Sequence, residues 1–241
     1  MNDVAGLAGH IVVFRILPSM RSDLSRRLGF LLLFLLLAGE LLAHPVPGEL
    51  EKLPPGAAAV LYLQLGFLHI LPFGFDHILF VVSLLLLSPK LKPVLLQATA
   101  FTVAHSVTLG LAMYKVITPP AHLIEPLIAL SILYVAGENV VSPRLRTTRL
   151  VVVFLFGLVH GLGFAGALGD LGLPKDHYLL ALVMFNLGVE LGQLTIIGLF
   201  YVLIARWAAD KSYYRKYIVL PLSLLIAVVA AYWMIVRIMN G

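Results

Sequence analysis

The sequence predicts an all-α fold: a polytopic transmembrane helical bundle of about six spans behind a signal peptide, its first span broken near Pro72–Gly74. Three observations carry this. The chain of 241 residues is 61% hydrophobic and 12% charged, with mean hydropathy +1.00. A soluble domain has roughly a quarter of its residues charged, because it must cover itself with a wetted surface. Six apolar blocks follow one another, each near the roughly 20 residues that cross a bilayer. The connections between them alternate between basic and nearly uncharged, as membrane proteins do to set their orientation.

Residues 1–43 read as an N-terminal extension plus signal peptide. Residues 1–19 are the extension, with Met20 as an alternative start. Arg21, Arg26 and Arg27 then form a positive region, Gly29 to Leu37 a short apolar core, and Ala43 the small residue before a cleavage point, so the mature chain begins near His44. The alternative is an uncleaved anchor helix. Residues 44–56, HPVPGELEKLPPG, form a Pro/Gly-rich extracytoplasmic linker.

Residues 57–241 form the transmembrane domain. Its blocks lie within Ala57–Ser88, Pro93–Tyr114, His122–Val141, Leu150–Leu168, Tyr178–Ile204 and Tyr217–Val236. Every connection is short, so consecutive spans run antiparallel. Loops with Lys90 and Lys92, with Arg144, Arg146 and Arg149, and with Arg206, Lys211, Arg215 and Lys216 alternate with loops carrying only Lys115 and Lys175. The basic loops mark the cytoplasmic side, which places both mature termini outside a bacterial inner membrane. This clustering also accounts for the net charge of +5 and argues against a nucleic-acid partner. The partners expected are the lipid bilayer and a metal ion, and a homo-oligomer is allowed. Without cysteine, a metal site must use His, carboxylate, amide or hydroxyl groups.

The first block is too long for one straight span, since 32 residues would make a helix of about 48 Å. Its centre, HILPFGFDH, holds helix breakers between His69 and His77. A break is tolerated where the freed backbone faces protein or a wet cavity, and transporters place substrates at such breaks. A simple kink is the alternative.

Ionisable groups within spans are costly and mark pathways or sites. Here they are His69, Asp76, His77, His105, Glu125, Glu138, His160 and Glu190. Thr99, Thr102 and Ser106 share a helix face beside His105. Ser131, Tyr134 and Glu138 share another, as do Asn186, Glu190 and Gln193. At about 1.5 Å per residue, His105, His160 and Glu190 lie roughly 18, 15 and 18 Å along their spans, near mid-bilayer. Imidazole and carboxylate groups at matching depth make a divalent-cation site, with Asp76, His77, His105, His160 and Glu190 as ligands and His69, Glu138 and Asn186 as further candidates. Plainer readings stand beside this one, since a lone buried His is more often a hydrogen-bonded core residue than a ligand. Asp76 could cap the helix after Gly74, Glu125 could be interfacial, and Asn139 and Gln193 could bond between helices. His10, His44, His122 and His177 sit in tails or at span edges and are assigned no role. Gly157, Gly161, Gly163 and Gly166, with Gly169 just past them, let the fourth span approach a neighbour and bring His160 beside it.

The blocks GFLHILPFGFDHILF, AFTVAHSVTL, EPLIALSILYVAGEN, FGLVHGLGFAGAL and FNLGVELGQL resemble the HupE/UreJ family, in particular its second branch. The resemblance covers roughly Leu61 to Leu203. It implies a nickel or cobalt permease associated with hydrogenase and urease maturation. The family's first branch carries a His-Pro motif ending in Gly-x-Asp-His, with five residues between the first His and the Asp. Gly74, Asp76 and His77 match that ending. His69 stands one residue further away and is not followed by Pro.

The leading expectation is therefore a permease for a divalent transition metal, nickel first, with cobalt, zinc or copper as alternatives. No P-loop or other nucleotide motif is present. The alternative is an intramembrane zinc hydrolase acting on a lipid or peptide, with His77, His105 and His160 as ligands and Asp76 or Glu190 as base. Against it, no span carries two His at a spacing of three or four. A purely structural subunit would leave the buried His and Glu unexplained.

Overall fold

The computed structural model describes residues 54–88, 90–170 and 177–240, with only the backbone given for 166–170. The expected signal segment and most of the linker lie outside the described residues. Those described form helices and no strand: α1 (Pro55–Ile70), α2 (Phe75–Leu87), α3 (Leu91–Met113), α4 (Ala121–Val141), α5 (Thr148–Asp170), α6 (Tyr178–Phe200) and α7 (Leu220–Asn240). π-helical turns at Tyr201–Ala205 and Arg215–Val219 extend α6 and precede α7. Five helices are long and apolar enough to cross a membrane, and the pair α1 and α2 makes a sixth if counted as one bent span. The chain is a multi-pass membrane protein of helical spans.

The break falls where the sequence places it. α1 stops at Ile70 and α2 starts at Phe75, with a bend of 66° between them. Proline cannot continue the ladder of amide donors, and Leu71–Pro72 is cis. Gly74 then folds back so closely that a β-carbon there would run into the His69 carbonyl, which only glycine avoids. Asp76 makes no capping bond to α2. Its carboxylate turns to another helix.

α2 is the central helix. His77, Phe80, Val81, Ser83, Leu84, Leu85 and Leu86 are all buried, so it is enclosed around most of its circumference. The other helices pack most extensively as three pairs: α1 with α6, α3 with α5, and α4 with α7. Glycines set the first two. A β-carbon at Gly66 would meet the Phe185 carbonyl, one at Gly188 the Leu63 carbonyl, and one at Gly192 the Ile70 side chain, so α1 and α6 run parallel with their backbones in contact. Likewise Gly157 sits on the Phe101 carbonyl and Gly161 on the His105 carbonyl, and Thr108 Oγ1 donates to Leu158 O at 2.7 Å. α3 and α5 are thus parallel and closely joined. α4 and α7 are antiparallel: Asn139 Nδ2 donates to Ser223 Oγ at one end, and Arg237 Nη1 to Glu125 O at the other.

The basic loops gather at one end of the bundle, but two of their charges do not belong to a wetted surface. Arg149, which the sequence reads as a loop charge, lies in the first turn of α5 and is 2% exposed. It bonds Glu138 Oε2 at 2.9 Å, Asn139 Oδ1 at 3.1 Å and Ser83 O at 3.3 Å. Arg215 donates to the carbonyls of Asn139, Val140 and Ser142, the unpaired C-terminal acceptors of α4. These two guanidinium groups clasp α2, α4, α5 and α7 together.

Candidate metal centre

His69 lies in the last turn of α1, His77 in the first turn of α2, and the bend between them turns both side chains toward α3. There His105 meets them. Each of the three offers a ring nitrogen, and these atoms lie within 4.8 Å of one another, the one such group among the described residues. His160 of α5 stands beside them, its ring centroid 5.0 Å from that of His77. His77, His105 and His160 are buried, and His69 is partly buried with its Nε2 enclosed. Phe101, Phe164 and Phe185 pack against the rings and wall the cluster in hydrocarbon.

Buried polar atoms almost always find a partner. Here one nitrogen of each imidazole does not: His69 Nε2, His77 Nε2, His105 Nε2 and His160 Nδ1 have none among the described residues. The second nitrogens of two rings are held. His105 Nδ1 bonds Asn186 Oδ1 at 3.0 Å, and His160 Nε2 bonds Ser131 Oγ at 2.9 Å. Three grouped imidazoles, with a fourth beside them, suit a borderline-soft divalent metal and offer little to magnesium or calcium, which prefer oxygen.

The carboxylates stand apart from this group. Asp76 Oδ2 is paired with Arg237 Nη2 at 2.9 Å, and Asp76 Oδ1 is buried without a partner. Glu190 accepts from Thr99 Oγ1 at 2.7 Å, one helical turn beyond Asn186, and its Oε2 is likewise unpartnered. Next along the same seam, Thr102 donates to Gln193 Oε1 at 3.3 Å. The polar faces read from α3 and α6 therefore do meet each other. The stripe on α4 divides: Ser131 goes to His160, while Glu138 goes to Arg149, well away from the imidazoles.

A family model described as HupE / UreJ protein matches residues 49–237. The chain belongs to the HupE / UreJ family. The match covers α1 to α6 and all but the last three residues of α7, so the imidazole cluster lies within the family's domain. For a HupE / UreJ protein of this architecture, the family and the apolar helices together indicate membrane transport of a transition-metal ion. No significant match is found among curated proteins or among solved structures. The hydrolase alternative gains no support from these comparisons.

Three features of the site escaped the sequence. Arg237 lies near the end of an apolar run and was invisible as the partner of Asp76. Gly66, Gly188 and Gly192 are spread over two distant segments, and only the packing reveals that they fit together. The stripe through Ser131 was legible, but not that its hydroxyl serves a histidine on another helix.

Proposed function

We propose that this HupE / UreJ protein is a permease for Ni²⁺, with Co²⁺ as a secondary substrate, and that the metal passes through the cluster of His69, His77, His105 and His160. The meeting of His69, His77 and His105, with His160 beside them and an unpartnered nitrogen on each ring, carries the reading. Imidazole ligands select nickel, cobalt, copper and zinc over hard cations. A site without a carboxylate in direct contact holds the ion weakly enough to release it, as conduction requires. Asp76 and Glu190 flank the cluster on its two sides and supply negative charge along the path. In this reading residues 1–43 are a leader, residues 44–56 an outer linker, and the basic end of the bundle is cytoplasmic.

The test is Ni²⁺ binding by the purified protein together with Ni²⁺ uptake into liposomes containing it. His77→Ala and His105→Ala should each lower uptake by more than about tenfold, the scale on which even the outer partners of metal ligands matter. His122→Ala, at the exposed start of α4, should transport normally. Wild-type uptake by both buried variants would refute the site.

A further inference from the structure

Ser131 Oγ lies 2.6 Å from Ile128 O and 2.9 Å from His160 Nε2. A hydroxyl has one proton, and the carbonyl can only accept, so that proton goes to Ile128. Toward His160 the hydroxyl can only accept, and Nε2 must therefore carry the ring's hydrogen. A neutral imidazole has one N–H, so Nδ1 is left bare. That is the buried nitrogen of His160 that has no partner.

The same logic holds at His105, with different chemistry. Asn186 Nδ2 donates to Leu182 O at 2.8 Å, which orients the amide and presents Oδ1 to His105 Nδ1 at 3.0 Å. An amide oxygen only accepts, so His105 carries its hydrogen on Nδ1 and leaves Nε2 bare. His105 Nε2 is again the unpartnered atom. Two unrelated groups on different helices thus leave bare the ring nitrogens that have no other partner.

We propose that Ser131 and Asn186 are positioning residues that lock His160 and His105 in opposite tautomers, so that His160 ligates the metal through Nδ1 and His105 through Nε2. This rests on the metal site proposed above. It gives Asn186 a different role from that of ligand, because its oxygen is occupied by the His105 N–H. It also makes His160 a fourth donor beside the three-histidine group. Without the lock, each ring could turn its N–H toward the metal and withhold its lone pair. With it, both rings keep a lone pair turned away from their hydrogen-bond partners before a cation arrives, and neither ring can donate a hydrogen bond to another imidazole of the cluster.

The experiment is a titration of the full-length protein in detergent with Co²⁺, whose visible ligand-field bands report the number and kind of donors. Ser131→Ala and Asn186→Leu should each weaken Co²⁺ binding about 10–100-fold, as the loss of an outer partner of a metal-bound histidine does. The bands should shift toward fewer imidazoles. Ser131→Thr, which keeps the hydroxyl, and Asn186→Asp, which keeps the acceptor, should retain the wild-type bands. Thermal unfolding without metal runs alongside, because a merely structural role would lower the melting temperature and leave the bands unmoved. Wild-type affinity and bands in both Ser131→Ala and Asn186→Leu would overturn the lock, as would Ser131→Thr binding no better than Ser131→Ala. Since the two positions lie on different helices, a folding failure at one leaves the other to decide. Failure of the unaltered protein to take up Co²⁺ or Ni²⁺ would instead remove the metal site itself, and the lock with it.

Discussion

Arg237, four residues from the end of the chain, donates to the Asp76 carboxylate at 2.9 Å and so ties α7 to the residue immediately before His77. The same guanidinium reaches Glu125 O at 3.2 Å. One cation thereby holds the start of α2, the start of α4 and the end of α7 together, next to the imidazole cluster.

Both partners of this pair are about a quarter exposed, at 23% and 28%, so its energy is discounted for screening. A double-mutant cycle with Asp76→Asn and Arg237→Gln should return a coupling of about 0.5–1 kcal/mol in detergent unfolding. Coupling near zero would mean that the contact does not hold the ends together.

The α3–α5 seam gives a sharper expectation. Gly161→Ala places a methyl group against the His105 carbonyl and the Thr108 hydroxyl. Overpacking of this kind costs about 1–3 kcal/mol, and it should displace His160 enough to impair metal binding. Gly137→Ala has nothing within 4 Å and lies inside α4, so it should be neutral or stabilising by up to about 1 kcal/mol. Melting temperatures and Ni²⁺ titrations of the two variants, side by side, make the check.

At the basic end, Arg149→Met leaves Glu138 without its partner. Removing one member of a buried ion pair costs about 3–5 kcal/mol, whereas replacing both members by apolar residues is often near neutral. Arg149→Met should therefore express poorly and unfold early, and Arg149→Met with Glu138→Leu should recover most of the loss. Equal stability of the single and double variants would show that the pair is not what Arg149 contributes.

Orientation is tested by tags. Reporters in the loops at Lys90–Lys92 and Arg144–Arg146 should be cytoplasmic and one at the C-terminus extracytoplasmic. A cytoplasmic C-terminus would overturn the six-span topology.

Much of this molecule was legible in its residues, for identifiable reasons. Span positions follow from hydropathy, because the bilayer forbids most alternatives to an apolar helix. The break at Pro72–Gly74 was legible because proline and glycine carry their backbone constraints with them. The buried histidines stood out because polar groups are costly in hydrocarbon. What could not be read were relationships between helices. Nothing in the text sets Asp76 beside Arg237 rather than the imidazoles, or Glu138 beside Arg149, since each depends on which helices become neighbours. Arg149 misled for a related reason. A basic residue at a span edge looks the same whether its side chain points to water or inward, and only the clustering of Glu138, Asn139 and Ser83 around it decides.

The glycine seams have a consequence for motion. Backbone in contact with backbone along α1–α6 and along α3–α5 makes each pair a stiff rib, with α4–α7 as a third and α2 as a strut among them. The histidines are distributed over these parts: His69 on one rib, His105 and His160 on another, His77 on the strut. A cation shared by His69, His77 and His105 would rivet two ribs and the strut together at one point. Its departure would undo that rivet without disturbing either seam. In the transport reading proposed above, an opening for the ion would run between ribs, beside the bend after Ile70.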